Sequence, residues 1–597
     1  MNTLVKKAFI GTVLFFGSFT NLYANAEEFN ISADPFWVLK QEISRDEEIL
    51  SFETKRVSAI YPLDKVNTLG ANYPGFRGPG QLVVYYSDFG TTTGTNEFGT
   101  EAVIKDGVVV KLTGADSSIP RDGFVVSGHG SAKKWIKDNL KIGTKIKIEG
   151  RTLIAYTTPE SYVFMAKEKI DDAEEFISNA RKSSNTALED KKALGYLKKA
   201  KVYYKKAEHS KDTAIIQYAK ASIESSNLAI KYALPYMPNE FKGVWLRPSE
   251  KNAVEVRKTL DNIKQTGINN VFLETFFHGY TIYPSEVMHQ YYLTTQNPKF
   301  ASFDVLGTYI KEAHKRGMKI HCWFEAFYIG NSDPALDKTS ILSVYPAWGN
   351  KNFANYNSTS YVRHPVEHNG LFLDPANFET VYFLTQLLSE ISNKYHPDGI
   401  NLDYTRYPSS QNSTVPNFKQ SNWGYTEYAR DEFKSLYEID PVEIEVGTTM
   451  WKKWSEYRRS KISNFVQNAR EVVPNDIKLS AVIFPDYYAS LETKQQDWAK
   501  WTNEELVDVV TPLIMTSDNE LFHDILKSVK MRTPNKVDIY TGLFVGFLDA
   551  EPEDLLRQIS VSRALKSEGV VLFDWAHLPQ KYQTALKTRV FLPRDTK

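Results

Sequence analysis

Acidic residues standing at the ends of short, half-polar strands are the groups in this chain best placed to do chemistry. The clearest case is Gly399-Ile-Asn-Leu-Asp-Tyr-Thr-Arg-Tyr-Pro408, which sets Ile400 and Leu402 on one face, Asn401 and Asp403 on the other. The same parity leads through Gly243 and Trp245 to Arg247, and through Phe272 to Glu274. It leads through His321 and Trp323 to Glu325, through Val482 and Phe484 to Asp486, and through Val570 and Leu572 to Asp574. Glu274, Glu325, Asp403, Asp486 and Asp574 are thus expected to converge with Arg247 and Arg406, beside Trp323, Tyr404 and Trp575. An acid-rich, aromatic-walled cleft suits glycoside hydrolysis. One carboxylic acid protonates the leaving oxygen, and a second carboxylate attacks the sugar or activates water. Asp403 with Glu325 is the expected catalytic pair, Asp486 and Asp574 stand in reserve as partners, and the other residues are expected to bind substrate. The plain alternative for any one acid is an ion pair with Arg247 or Arg406, or a helix cap.

Strands that deliver such residues at one end need a scaffold that aligns those ends. Eight strand-like segments are expected near Gly243–Arg247, Asn270–Thr275, Lys319–Glu325, Gly399–Tyr404, Lys478–Pro485, Val509–Met515, Asp538–Phe544 and Val570–Asp574. Helix-period text such as Ala253–Gln265, Val305–Arg316 and Trp454–Val472 separates them. Alternation of strand and helix implies a parallel sheet with right-handed crossovers. Eight units predict a closed (β/α)8 TIM barrel, with an open doubly wound sheet as the alternative. Helix-to-strand links are short, whereas strand-to-helix links after the second, third and fourth strands are long, the third running from Tyr328 to Ala376. Long loops on one rim are expected to be functional, because that rim is where barrel enzymes hold substrate.

The α/β barrel text occupies 238–597 and is preceded by two other kinds of sequence. Residues 27–160 read as a small β-rich domain with one helix near Ser131–Asn139, and His129 reads as a turn residue between two glycines. Residues 161–237 read as a short helical bundle, with stripes such as Ala166, Ile170, Ala173, Ile177 and Ala180. Segment 1–26 reads as a signal peptide. Lys6 and Lys7 precede an apolar run that ends before Ala24-Asn25-Ala26, and export with cleavage after Ala26 is expected. Lys+Arg and Asp+Glu are equal at 72 each, so no net field draws the chain to nucleic acid. Cys322 is the single cysteine, so no intramolecular disulfide can form. Because the barrel text supplies all eight strands and every proposed acid, it is expected to fold and act alone. The upstream domains would then localise the chain to the envelope or guide a long polymer.

Six segments carry a family resemblance: Phe241-Lys-Gly-Val-Trp-Leu-Arg, Asn270-Val-Phe-Leu-Glu-Thr-Phe-Phe, Tyr283-Pro-Ser, Ala313-His-Lys-Arg-Gly-Met-Lys-Ile-His-Cys-Trp-Phe, Leu373-Asp-Pro-Ala-Asn and Asp398-Gly-Ile-Asn-Leu-Asp-Tyr-Thr-Arg-Tyr-Pro. In this order they resemble the glycosyl-hydrolase-like family ten. That resemblance implies a (β/α)8 fold, export from a bacterium, and glycosidase action on cell-envelope glycans. The family's strand-four acid matches Asp403. Many members carry a second Asp next to it, where this chain has Tyr404, so the resemblance implies a catalytic partner from another strand. The β-rich text Thr91–Val110 with Asp122–Gly130 resembles the accessory β-domain of phosphodiester-glycosidase-type exported proteins.

Other features weigh against this reading or stand outside it. His364-Pro-Val-Glu-His368 matches the H-x-x-E-H pattern of some zinc peptidases. That pattern needs a helix, and Pro365 with Asn369-Gly370 breaks one here, so no metal and no cofactor is expected. Cys322 has outward parity and is expected to be a buried structural thiol. The competing functions are a non-catalytic glycan-binding or envelope-scaffold protein on the same barrel, and a metallohydrolase using His364 and His368.

Overall fold

The computed structural model describes residues 82–593 except 97, 115, 150–151, 184–190, 212, 301–302 and 588–589, together with the backbone of 37–40 and 51–61. The expected signal peptide lies outside the described residues. Strands β1 (Trp37–Lys40), β2 (Ser51–Tyr61), β3 (Leu82–Tyr86), β4 (Thr100–Lys105), β5 (Val108–Thr113), β6 (Gly123–Gly128), β7 (Lys145–Glu149) and β8 (Thr152–Thr157) make one mostly antiparallel sheet. Its order is β1-β2-β3-β6-β4-β5-β7-β8, and β8 returns to pair with β2. Helix α1 (Gly130–Asn139) buries Trp135 and Ile136 against Leu82, Val84 and Val126 of this sheet. Helices α2 (Pro159–Ser183), α3 (Lys191–Glu208) and α4 (Thr213–Ala233) follow, and their Ala and Ile stripes close on one another.

The barrel strands are β9 (Phe241–Leu246), β10 (Asn270–Phe277), β12 (Lys319–Glu325), β13 (Gly399–Asp403), β14 (Lys478–Ile483), β15 (Val509–Ile514), β16 (Asp538–Leu543) and β17 (Gly569–Leu572). The two-residue β11 (Tyr280–Thr281) hangs on β10. All eight pair in parallel in chain order, and β17 pairs with β9, so the expected barrel is closed and the open-sheet alternative falls. One face of each strand, for example Val271, Leu273, Cys322, Ile400 and Leu402, joins the helix-ring core. The other face fills the interior with Trp245, Phe272, Trp323, Val482, Val509 and Tyr540. Asn401 sits among them and stays satisfied, donating to Ser480 Oγ at 2.8 Å and to Thr511 Oγ1 at 3.4 Å.

One parity is reversed relative to expectation. Val571 and Phe573 point into the barrel, while Val570 and Leu572 join the outer core. β17 is apolar at all four positions, so alternation alone gave no sign of which face turns inward.

Both upstream units pack on the barrel. Arg557 on the helix Pro552–Ala564 pairs with Asp172 of α2 at 2.5 Å, and Arg563 on the same helix donates to the Pro235 carbonyl at 2.9 Å. The β-rich domain reaches the rim beyond β15 and β16, where Lys111 pairs with Asp518 at 3.0 Å and Lys137 with Asp549 at 3.3 Å.

Candidate active site

The mouth of the barrel is built by strand ends meeting in register. β12 and β13 run side by side with Glu325 opposite Asp403. On the other side, β10 carries a bulge at Thr275, where the pairing with β12 slips between Glu274 and Phe276. Bulges re-aim neighbouring side chains and occur beside sites of this kind. Arg247, one residue beyond β9, donates from Nε to Glu274 at 3.2 Å and from Nη1 to Asp574 at 2.5 Å. Its guanidinium also lies 4.8 Å from the ring centre of Trp323 and 5.2 Å from that of Phe573.

Asp403 is half-buried and held by two donors, Trp323 Nε1–H to Oδ2 at 2.8 Å and the Tyr404 N–H to Oδ1 at 2.6 Å. Tyr404 takes a left-handed conformation at φ 50°, which an aromatic residue adopts at a cost of roughly 1–3 kcal/mol. It is held there by contacts that include its own N–H on Asp403, its carbonyl accepting from Arg406 N–H at 2.9 Å, and its ring stacked on Tyr328 at 4.6 Å. The kink ends the strand just after Asp403 and sets Tyr404 in the cluster of Tyr328, Phe372 and Phe484.

The electrostatics distinguish these acids. Burial raises Glu325 well above the usual carboxylate range, and the neighbouring Glu274 and Asp403 push the same way. Arg247 and the His278 N–H, 3.2 Å from Oε2, pull only weakly against them. Glu325 has no exposed surface, and its Oε1 finds no hydrogen-bond partner among the described residues. Burial raises Glu274 to about 7 against the pull of Arg247. Burial also raises Asp403, opposed by the Trp323 and Tyr404 hydrogen bonds. Burial works against ionised Asp574 too, but His577 and Arg247 outweigh it and hold this carboxyl below its ordinary value. Four carboxyls therefore crowd around Arg247, with Arg406 acting on Asp403 as well, and the proton they keep sits most firmly on Glu325.

Arg247, Glu274, Trp323, Glu325, Asp403 and Asp574 come together in this way with Tyr404 next to Glu325 and Asp403, and three expected members stand elsewhere. Asp486 is exposed and accepts from Ala489 N–H at 3.0 Å as the N-cap of a short helix, because β14 ends at Ile483 and the chain has already turned. Trp575 packs against the outer core rather than beside the acids. Arg406 is buried but bonds to Glu367, Nη1 to Oε1 at 3.3 Å and Nη2 to Oε2 at 3.1 Å, under the rings of Tyr404, Phe372 and Phe484.

Glu367 was missed in the sequence, where it was legible only as the acid of His364-Pro-Val-Glu-His368. It also accepts from Ser409 N–H at 2.8 Å and lies 3.8 Å from Lys494. Burial opposes its charge, yet Arg406, His364 and Lys494 hold it down at about 2. Burial lowers Lys494 to about 7. His364 uses both ring nitrogens: Nδ1 accepts from Glu367 N–H at 3.0 Å, and Nε2 lies 2.7 Å from the Ser409 carbonyl. That leaves no free nitrogen for a metal, and the H-x-x-E-H segment acts as a clamp between loops. Cys322 is buried in the outer core, and burial pushes its thiol to about 12.

A closed parallel barrel with a carboxyl cluster at the C-terminal ends of its strands defines a glycoside-hydrolase-like barrel protein. Residues 240–551 match the family model described as Glycosyl hydrolase-like 10, and the chain belongs to that family. Glycosyl hydrolase DigH of Escherichia coli strain K12 is 25% identical over 360 residues, 54% of this chain and 76% of that protein. Glycosyl hydrolase YngK of Bacillus subtilis is 24% identical over 379 residues, 56% of this chain and 68% of that one. Among solved structures, the catalytic domain of a Paenibacillus polymyxa β-amylase matches at 11% identity and a TM-score of 0.40, covering 59% of this chain and 98% of that chain.

Proposed function

We propose that the protein is an exported glycoside hydrolase that cleaves a bacterial cell-envelope polysaccharide, a peptidoglycan glycan strand or an exopolysaccharide. The observation that carries this reading is the in-register pair Glu325 and Asp403, one carboxyl buried and proton-holding, the other half-open and held by two N–H donors. In this reading Glu325 protonates the leaving oxygen, and Asp403 attacks the anomeric carbon or activates water. Arg247, Glu274 and Asp574 form the charged floor that fixes sugar hydroxyls, and Trp323 contributes an apolar wall. Glu325 is fully covered, with His278, Tyr328 and Tyr404 around it, so substrate entry has to shift part of that cover. Membership of the family and the names of its relatives support hydrolysis of glycosidic bonds. The basic-apolar-small pattern of residues 1–26 supports export.

A non-catalytic glycan-binding or scaffold role on the same barrel is the second reading. It is favoured by the complete burial of Glu325 and by Tyr404 at the position where an adjacent acid would stand. Turnover of purified glycan strands by wild type, Asp403→Asn and Glu325→Gln separates the two. Hydrolysis abolished by Asp403→Asn supports the enzyme. Binding without any product from wild type sinks it in favour of the scaffold.

A further inference from the structure

The β-rich domain presents Phe98 to the barrel, and the described residues on either side of it are tied down by hydrogen bonds. Phe98 follows β3 and precedes β4. Its N–H donates to Asn96 Oδ1 at 3.2 Å, Gly99 N–H donates to the Asn96 carbonyl at 2.9 Å, and Lys133 Nζ of α1 donates to the Phe98 carbonyl at 3.0 Å. His129 Nε2 holds Asn96 Oδ1 at 2.8 Å, which gives the glycine-flanked histidine its place. Beneath the turn, fully buried Glu101 accepts from Thr93 Oγ1 at 2.7 Å and from Ser117 N–H at 2.8 Å. A side chain held so firmly loses little entropy on meeting a ligand.

The surface it meets leads back to the acids. Phe98 is half-buried and lies edge-on to half-buried Phe547 in the loop after β16, with centroids 6.3 Å apart at 84°. Phe547 lies 5.8 Å from Phe573, and Phe573 lies 6.2 Å from Trp323, the donor to Asp403. Phe547 also packs at 5.0 Å on His577, which binds Asp574 at 2.6 Å. A file of rings thus runs from the acid cluster to the upstream domain. Its outer members, Phe547 and Phe98, keep part of their surface open to solvent.

We propose that Phe98 and Phe547 form a distal sugar-stacking subsite, so that the β-rich domain is one wall of the substrate cleft. The proposal rests on the glycan reading above and names the ligand as a further ring of the polymer beyond the unit being cleaved. A flat apolar sugar face against the part of these rings left open to solvent is the chemistry the site offers. Only a glycan long enough to span the file of rings would engage it.

The test uses the full chain with Phe98→Ala and Phe98→Trp, peptide-free peptidoglycan glycan strands, and short fragments of the same strands. Phe98→Ala is expected to raise KM for the polymer roughly two- to tenfold, the size of one aromatic contact. On short fragments kcat should stay at the wild-type value, and Phe98→Trp should restore polymer affinity. An unchanged polymer KM in Phe98→Ala overturns the subsite, as does equal loss on both lengths, which would make Phe98 only a domain contact. Direct binding to the same immobilised glycan strands keeps the two proposals separate. If wild type binds but never cleaves, and Phe98→Ala binds more weakly, the subsite stands and the hydrolase reading falls. If polymer binding is insensitive to Phe98, the subsite fails whatever the turnover.

Discussion

Two buried charge clusters lie side by side at this rim and differ in the sign of their imbalance. The mouth gathers four carboxyls, Glu274, Glu325, Asp403 and Asp574, around the guanidinium of Arg247, and Arg406 of the neighbouring clamp adds a pull on Asp403 alone. The loop clamp holds one carboxylate, Glu367, against Arg406 and Lys494. Surplus acid cannot ionise completely in a buried site, so the mouth keeps a proton. A lone carboxylate between two cations stays ionised, so the clamp holds loops in place. Their pH responses run in opposite directions. Glu367 is held at about 2, so its stabilising contribution is present above the ordinary glutamate value of about 4.3 and is lost as pH falls toward about 2. Glu274 is raised to about 7, so its contribution is fully present below about 4.3 and is lost as pH rises through about 7.

The largest effect that would break the comparison is expected at Asp403. Asp403→Asn should lower turnover of glycan strands by about 10²–10⁴ with little change in thermal midpoint. Near-normal turnover would remove Asp403 from the chemistry and with it the contrast between the clusters. Glu367→Gln should act the other way round, costing about 3–5 kcal/mol in urea denaturation by leaving Arg406 and Lys494 without a counter-charge. A stability loss under about 1 kcal/mol would show that the clamp is not held by its charges.

A subtler change sharpens the picture of the mouth. Trp323→Phe removes the Nε1–H bond to Asp403 Oδ2 and with it support for the ionised form. The acid limb of the kcat/KM profile should move upward by roughly one pH unit, the size of a hydrogen bond to a charged group. A limb that stays put or moves down would mean that Asp403 does not govern it. The smallest effect belongs to Asp486. Asp486→Ala should leave turnover unchanged and lower stability by about 0.5–1 kcal/mol, as for a lost helix cap. A strong loss of activity there would return Asp486 to the cluster from which its position excludes it.

Much of the barrel was legible because each strand is half in the interior and half in the helix-ring core. That double burial writes an alternation into the chain: Lys319–Glu325 reads off the sequence to the residue, and His321, Trp323 and Glu325 are separated from Cys322 and Phe324. The alternation failed at β17, where four apolar residues leave the faces indistinguishable. It also failed past the strand ends. Asp486 lies three residues beyond β14, where the period of two no longer binds the chain, and it became a cap. Asp574, two residues beyond β17, reached Arg247 even though the parity assigned to its strand was reversed.

What the sequence determined by itself was the set of strands, their order and the carboxyls that β10, β12 and β13 carry to one rim, because side-chain burial on a strand is a local property with a fixed period. Which charges meet was decided only by the tertiary structure. Arg406 lies three residues after Asp403, yet it pairs with Glu367 from the long loop after β12, and Glu274 and Asp574 share Arg247 across the closure of the barrel. The seating of the β-rich domain on the β15–β16 rim was equally invisible, since Lys111 and Asp518 are brought together across 407 positions. Ion pairs and ring contacts depend on distance in space, and only closure of the barrel and docking of its neighbours set those distances.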